Sequence, residues 1–504
     1  MLRLGSPLRA RSAVVAPAIG LSLVAASCGE GHAPAPACPD LSWTGPRPGT
    51  SLVLVVNDTL RRDRVGIYGG PDQTPTFDAF ARGGMLFERA TSQAPWTSPA
   101  IASLFSGLYP SAHGVRSHPY LRATADGATT ASATRKVDVL GDDLTLLAEL
   151  LDDAGYHTAA IVGNPWLERR FGFAQGFDFY DDSFADWDAP GRDVAGAALD
   201  WLAGVPDGEP YFLYVHTMDT HRPYPSVSRE ALHARRDELV DDRRPLDPAV
   251  RQSIADLVFL EGAGKAVRAG LTPSLSLIEL AYDAGVRAFD DSLSVLLEGM
   301  AGEAEDETAL IVLSDHGEAL FSRGWGNHGH GLYEDEVAIP MAARLPGVRA
   351  ERDRVGCPTG LVDVLPTVCS YLDLDCPDDL GGESFLAPRK QVGSLADRRL
   401  LVEGVMHKPQ NRAVRDRRYK LLLQPQPDLS GTTDALFDTS IDPGETTNLL
   451  EPGSLTPRHA EVRAELERAA REMLSRSAPA SNDDETVPLD AATERRLRSL
   501  GYIR

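Results

Sequence analysis

Positive charge is in shortest supply in this chain: 50 Lys and Arg stand against 73 Asp and Glu in 504 residues, a formal charge of -23. So acidic a surface repels nucleic acid and anionic bilayers, which argues against either as the main partner. An anionic substrate would need local cations, and a bound metal is the simplest supply. Cysteine is scarce as well, five residues with no CxxC pair, so a cysteine metal cluster is not expected. There is no internal repeat. The hydrophobic fraction of 42% and the charged fraction of 24% are ordinary for a folded chain and exclude global disorder.

The apolar stretch from Ala13 to Ala26 follows Arg3, Arg9 and Arg11 and is too short and weak to span a bilayer, so it reads as a signal peptide. It closes on Ala25-Ala26-Ser27-Cys28, small residues before a cysteine. That resembles a bacterial lipoprotein cleavage site, with residues 1–28 as the signal segment and Cys28 becoming the lipidated first residue; ordinary secretion with cleavage nearby is the alternative. An exported, envelope-anchored protein is the expectation. Residues 29–50, rich in Ala and Pro, read as an extended tether. Export permits disulfides, and Cys38, Cys357, Cys369 and Cys376 allow three pairings.

Four short apolar runs share one grammar. Ser51-Leu-Val-Leu-Val-Val56 ends in Asn57-Asp58, and Thr158-Ala-Ala-Ile-Val162 in Gly163-Asn164. Tyr211-Phe-Leu-Tyr-Val215 ends in His216, and Ala309-Leu-Ile-Val-Leu313 in Ser314-Asp315-His316. Such runs predict strands buried on both faces. Helical patterns lie between them, as from Asp143 to Ala154, where Leu144, Leu147, Ala148 and Leu151 recur at helix spacing before Gly155. The alternation implies an α/β fold: a doubly wound, mostly parallel sheet covered on both sides. From about Leu345 the texture changes to a Pro366-started helix, a run Tyr419–Leu423, an Asp442-Pro-Gly-Glu445 turn and a charged helix from Pro457 to Ser475. The division expected is a catalytic domain over 51–345 and a smaller C-terminal α+β subdomain with terminal helices over 346–504. The charged segment from Ser226 to about Thr272 reads as a helical insertion.

In open α/β sheets ligands bind at the carboxyl ends of the strands. Asp58 and the pair Asp315-His316 each follow a buried run, and hard carboxylates with an imidazole suit a divalent cation such as Ca, Mg, Mn or Zn. A strand-end Asp taken singly is more often a cap or turn residue; the neighbouring text reverses that balance. It comprises Asp58-Thr-Leu-Arg61, Ile67-Tyr-Gly69, Thr74-Pro75-Thr76, Ala94-Pro-Trp-Thr-Ser-Pro-Ala-Ile-Ala-Ser-Leu-Phe-Ser-Gly107 and Tyr109-Pro-Ser-Ala-His-Gly114. Further on come Met218-Asp-Thr-His-Arg-Pro-Tyr224, Ser314-Asp-His-Gly-Glu318 and Asp442-Pro-Gly-Glu445 with Asn448-Leu449. Together these resemble the sulfatase family of the alkaline phosphatase superfamily, over roughly Ser51 to Leu449.

The resemblance implies an alkaline phosphatase-like fold with its nucleophile at the start of a helix. That position is Thr97, and Thr97 or Ser98 is a good N-cap with Pro99 suited to the first helical position. Most sulfatases carry Cys or Ser there, in a C/S-x-P-x-R motif converted to formylglycine; here Thr97 replaces it and Ile101 stands where the arginine belongs. Threonine cannot be so converted, and superfamily members that use threonine act on phosphorus. The implied metal ligands are Asp58, Thr97, Asp315 and His316. Thr59 stands where many members have another Asp ligand.

His221 resembles the family histidine that contacts the substrate's non-bridging oxygens or protonates the leaving group, and a histidine satisfied by Asp219 is the plainer reading. In Asn327-His-Gly-His330 both His328 and His330 are candidates for holding the anion. Asn164 is a candidate substrate-binding residue and an equally good cap before Pro165. Glu318, His113, Lys420 and Trp96 have structural readings at least as good. The expectation is a metal-dependent hydrolase of sulfuric or phosphoric esters, acting through Thr97 on a small-molecule, glycan or lipid ester. A phosphoglycerol- or phosphoethanolamine-type envelope transferase and an inactive sulfatase-like binding protein are the alternatives.

Overall fold

The computed structural model describes residues 41–116, 136–185, 189–222, 224, 275–301, 307–323, 325–350, 353–386, 397–404, 410–424, 433–476 and 486–488. The expected signal peptide with Cys28, most of the expected tether and the insertion expected over 226–272 lie outside them. No described helix is long and apolar enough to cross a membrane.

The large sheet is built from β1 (Leu52–Asn57), β2 (Met85–Phe87), β3 (His157–Val162), β4 (Phe179–Asp181), β5 (Tyr211–Thr217), β6 (Ala309–Ser314), β7 (Met341–Arg344) and β8 (Arg354–Val355). Its spatial order is β8-β2-β7-β6-β1-β5-β3-β4. The four runs anticipated from sequence are neighbours at its centre, β6, β1, β5 and β3, all parallel. Strand β7 is antiparallel to both its neighbours. The expected α/β architecture is thus present.

The continuous apolar text of β1 follows from burial on both sides. Leu52, Leu54 and Val56 pack into one core with helix α2 (Thr97–Ser106), helix α3 (Leu147–Asp153) and helix α6 (Val364–Leu372). Val53 and Val55 pack into the other with α1 (Pro75–Arg82), α4 (Gly191–Leu202) and α5 (Leu275–Met300). Each such side chain, fully buried, contributes about 1.5–3 kcal/mol of transfer free energy. Helix α3 starts later than its apolar spacing predicts, because the Glu149 carboxylate accepts the Leu146 amide (2.8 Å) and fixes the start there. It stops as expected, with Gly155 at φ 82°.

A second sheet holds β9 (Leu400–Glu403), β10 (Arg412–Arg415), β11 (Tyr419–Leu423) and β12 (Ala435–Asp438), antiparallel in that order. Helix α7 (Pro457–Arg476) covers it through Val462, Leu466 and Ala470. Lys420, on β11, is fully buried and bridges Glu334 (3.1 Å) and Glu445 (2.9 Å), while Arg415 reaches Glu334 at 3.0 Å. Its place is in an ion network joining this sheet to the short helix Glu334–Val337 that precedes β7. Cys369 pairs with Cys376, which settles one of the possible disulfides, and Cys357 is also disulfide-bonded.

Candidate active site

The register of the central strands brings their carboxyl ends level. Val56 lies opposite His216, and Asn57 opposite both Thr217 and Ser314. The residues just beyond, Asp58 and Asp315, therefore meet His216 over the end of the sheet. Carboxylate and imidazole atoms of these three lie within 4.8 Å of one another.

Thr97 opens α2, with Trp96 extended before it and no capping bond from the side chain at that position. The Thr97 hydroxyl instead donates to Oδ2 of Asp58 (3.2 Å) and stands 3.3 Å from Nε2 of His316. The ring of His316 is fixed by its other nitrogen, 2.9 Å from the Gly317 carbonyl. A carbonyl only accepts, so Nδ1 carries the hydrogen and the lone pair of Nε2 faces Thr97, Asp58 (3.7 Å) and Asp315 (3.4 Å). His216 Nε2 lies 3.4 Å from Asp58 Oδ2, and Tyr214 holds its Nδ1 at 2.8 Å. Asn164 has the capping role read for it and also reaches the cluster. Its Oδ1 caps the following turn through the Trp166 amide (2.7 Å), while its Nδ2 donates to Asp58 and to Thr97 (3.2 Å).

Asp58, Asp315 and His316 are wholly buried and Thr97 nearly so. Oδ1 of Asp58 and Oδ2 of Asp315 accept no hydrogen bond from any described residue. Burial raises Asp58, but the facing His221, His216 and His316 outweigh it and hold the carboxyl well below the usual range. Burial and then the Asp58 charge push Asp315 well above it. Two buried carboxylates with orphaned oxygens, beside the His316 imidazole with its lone pair turned inward, fit a divalent cation. Thr59, whose φ is 60°, donates its hydroxyl to the Asp58 carbonyl (2.6 Å) and its amide to Asp315 (3.2 Å). It braces the carboxylates rather than adding a third.

The histidines divide cleanly. His221 is buried, its Nδ1 on the Arg222 carbonyl, and burial lowers its pKa to about 4. His328 is buried with its ring 4.5 Å from that of His316 and 5.4 Å from that of His221. His330 instead faces Trp325 at 5.8 Å, its amide on Glu336 (3.1 Å). Of the two candidates in that stretch, the fold brings His328 to the cluster. His216 was the residue that sequence reasoning passed over: its position at the end of a buried run was visible, but only the β1–β5 register shows it level with Asp58.

His113 is a fold-holding residue. Its Nδ1 accepts the Val115 amide (3.1 Å), so Nε2 carries the hydrogen toward Ser103 Oγ (3.0 Å). Burial lowers its pKa to about 3. Because the unfolded chain binds this proton near 6.5, the stability His113 contributes is present above that pH and lost as pH falls toward 3. Between pH 6.5 and 5 the loss from this group is about 2 kcal/mol. Denaturant unfolding of wild type and His113→Gln at pH 7 and pH 5 checks it: the variant should have the shallower dependence, and equal slopes would refute the assignment.

The family profile for Sulfatase matches residues 50–374. The chain belongs to the sulfatase family. It is 25% identical over 464 residues to the uncharacterized sulfatase YidJ of Escherichia coli K12, covering 83% of this chain and 86% of that one. It is 25% identical over 378 residues to an endo-4-O-sulfatase of Bacteroides thetaiotaomicron, covering 64% and 67%. The solved phosphonate monoester hydrolase of Agrobacterium radiobacter shares the fold at TM-score 0.60 and 18% identity, over 88% of this chain and 100% of that one. This sulfatase is accordingly a hydrolase of sulfuric or phosphoric esters.

Proposed function

We propose that this sulfatase hydrolyses its ester by double displacement through Thr97. The observation that supports it most is the Thr97 hydroxyl, buried at a helix start and within 3.3 Å of both Asp58 and His316. The helix N-terminus favours negative charge there, on the alkoxide and on the oxygens of a bound anion. Asp58, His216, Asp315 and His316 are the donors that would hold a divalent cation beside it. Such an ion, when bound, lowers the pKa of a nearby hydroxyl and neutralises charge on the transferred group. Thr97 Oγ1 attacks sulfur or phosphorus as the bond to the leaving oxygen breaks, and the proton lost by the hydroxyl leaves, net, with the departing alcohol. Water then cleaves the threonine ester and restores the hydroxyl. Formylglycine sulfatases release the group by elimination, a route closed to threonine, so the second displacement is required. Asn164 and His221 bind the anion's oxygens on this reading.

The substrate class is a sulfated or phosphorylated small molecule, glycan or lipid of the cell envelope, in keeping with the signal peptide and the lipoprotein-like Cys28. The same threonine also favours a second reading, in which an acceptor alcohol rather than water takes the group. A panel of aryl sulfate, phosphate monoester and phosphate diester, assayed with Mg, Mn, Ca or Zn, separates them. Metal-dependent release of inorganic anion from at least one ester is the expected result. Release only on adding an acceptor alcohol would replace hydrolysis by transfer.

A further inference from the structure

Oxygen donors run out quickly around Asp58 and Asp315. Each carboxylate has one buried oxygen that accepts no hydrogen bond from a described residue, Oδ1 of Asp58 and Oδ2 of Asp315, and the Thr97 hydroxyl stands 3.2 Å from Asp58. The other side-chain oxygens beside them are committed elsewhere. The Thr59 hydroxyl donates to the Asp58 carbonyl (2.6 Å), and Oδ1 of Asn164 accepts the Trp166 amide (2.7 Å), so that residue turns Nδ2 to the cluster. Oδ1 of Asn57 accepts the Thr217 hydroxyl (2.9 Å), and the Ser314 hydroxyl faces the Asn57 and His316 carbonyls (2.8 and 2.7 Å). Nitrogen is supplied instead. His216 and His316, both wholly buried, bring Nε2 to 3.4 and 3.7 Å from the Asp58 carboxylate, each from a different strand end.

We infer that His216 and His316 make this a site for Zn rather than for Ca, Mg or Mn, with Tyr214 as the residue that positions His216. The inference rests on the reading of these donors as a cation site. Ca takes about 6–8 oxygens, and Mg and Mn suit carboxylate, carbonyl and water oxygens. Two carboxylates with two imidazoles are instead the mixed oxygen and nitrogen set that Zn favours. His216 is also held as such a ligand is held. Tyr214 lies two residues back on the same buried strand, β5, and therefore on the same face of the sheet. Its hydroxyl is 2.8 Å from His216 Nδ1, and a phenol oxygen can accept the Nδ1 hydrogen, which leaves the Nε2 lone pair to the ion. His316 has the equivalent support from the Gly317 carbonyl (2.9 Å).

The test needs no substrate. Protein stripped by chelation is dialysed against Zn, Mn, Mg and Ca together at equal concentration, and the bound metal is counted by elemental mass spectrometry. About one Zn per chain is expected, retained against a roughly 100-fold excess of Ca. Retention of Ca, Mg or Mn in its place would overturn the inference. X-ray absorption at the zinc edge then counts the imidazoles, about two in the wild type and about one in His216→Asn. A wild-type spectrum with fewer than two, or one unchanged in His216→Asn, would take His216 out of the ligand set and overturn the assignment. Tyr214→Phe keeps the ring and both histidines and should weaken Zn binding about 10- to 100-fold, the scale for losing a residue that orients a metal-bound imidazole. Unaltered affinity in Tyr214→Phe would overturn its positioning role. The wild-type competition and spectrum require no variant to fold. Failure of the underlying cation reading looks different, since the stripped protein would then take up none of the four ions.

Discussion

Thr97→Ala is expected to lose at least about 10³-fold in kcat while remaining folded and able to bind metal, because on the proposed mechanism it deletes the attacking oxygen and little else. The side chain is small and sits at the end of a helix whose other residues pack into the core, so little else changes. Thr97→Ser, which keeps the oxygen, should stay within about tenfold of wild type on the same scale. Steady-state assays on whichever ester is turned over, with thermal unfolding alongside, check both. If Thr97→Ala retained wild-type turnover, water or another side chain would be the nucleophile.

Metal removal is expected to have an effect of similar size on activity and an opposite one in two stability measurements. Stripped by chelation, the wild type should lose turnover and unfold at lower temperature, because Asp58 and Asp315 keep facing oxygens that accept no hydrogen bond. Adding back the right cation at about 100 times its dissociation constant should restore about 2.7 kcal/mol. Asp315→Asn removes one of the two charges. The chelated variant should therefore be more stable than the chelated wild type, yet gain little from metal and remain inactive. Differential scanning calorimetry with chelator and with each of Ca, Mg, Mn and Zn makes the comparison. Full activity in the chelated wild type would rule out the cation.

The central sheet was legible in sequence for a simple reason: strands buried on both faces are written as unbroken apolar runs, and β1, β3, β5 and β6 are all of that kind. Asp58 and the pair Asp315-His316 were legible because they follow such runs directly. What the sequence could not supply was register. His216 closes a buried run as visibly as Asp58 follows one, yet only the pairing of β1 with β5 shows that they are level. The choice between His328 and His330 had the same character. Two residues apart in a loop, they face His316 and Trp325 respectively, and no periodicity exists in a loop to separate them. Lys420 had only a general structural reading because its partners, Glu334 and Glu445, are distant in the chain.

Nucleophilic attack by Thr97 is tested most directly by the stereochemical course of hydrolysis, using a phosphorothioate monoester or a phosphate diester made chiral at phosphorus and hydrolysed in isotopically labelled water. Two successive in-line displacements, onto Thr97 and then onto water, give net retention, and retention is the expected result. Net inversion would mean that water attacks the substrate itself, and would contradict the threonine ester.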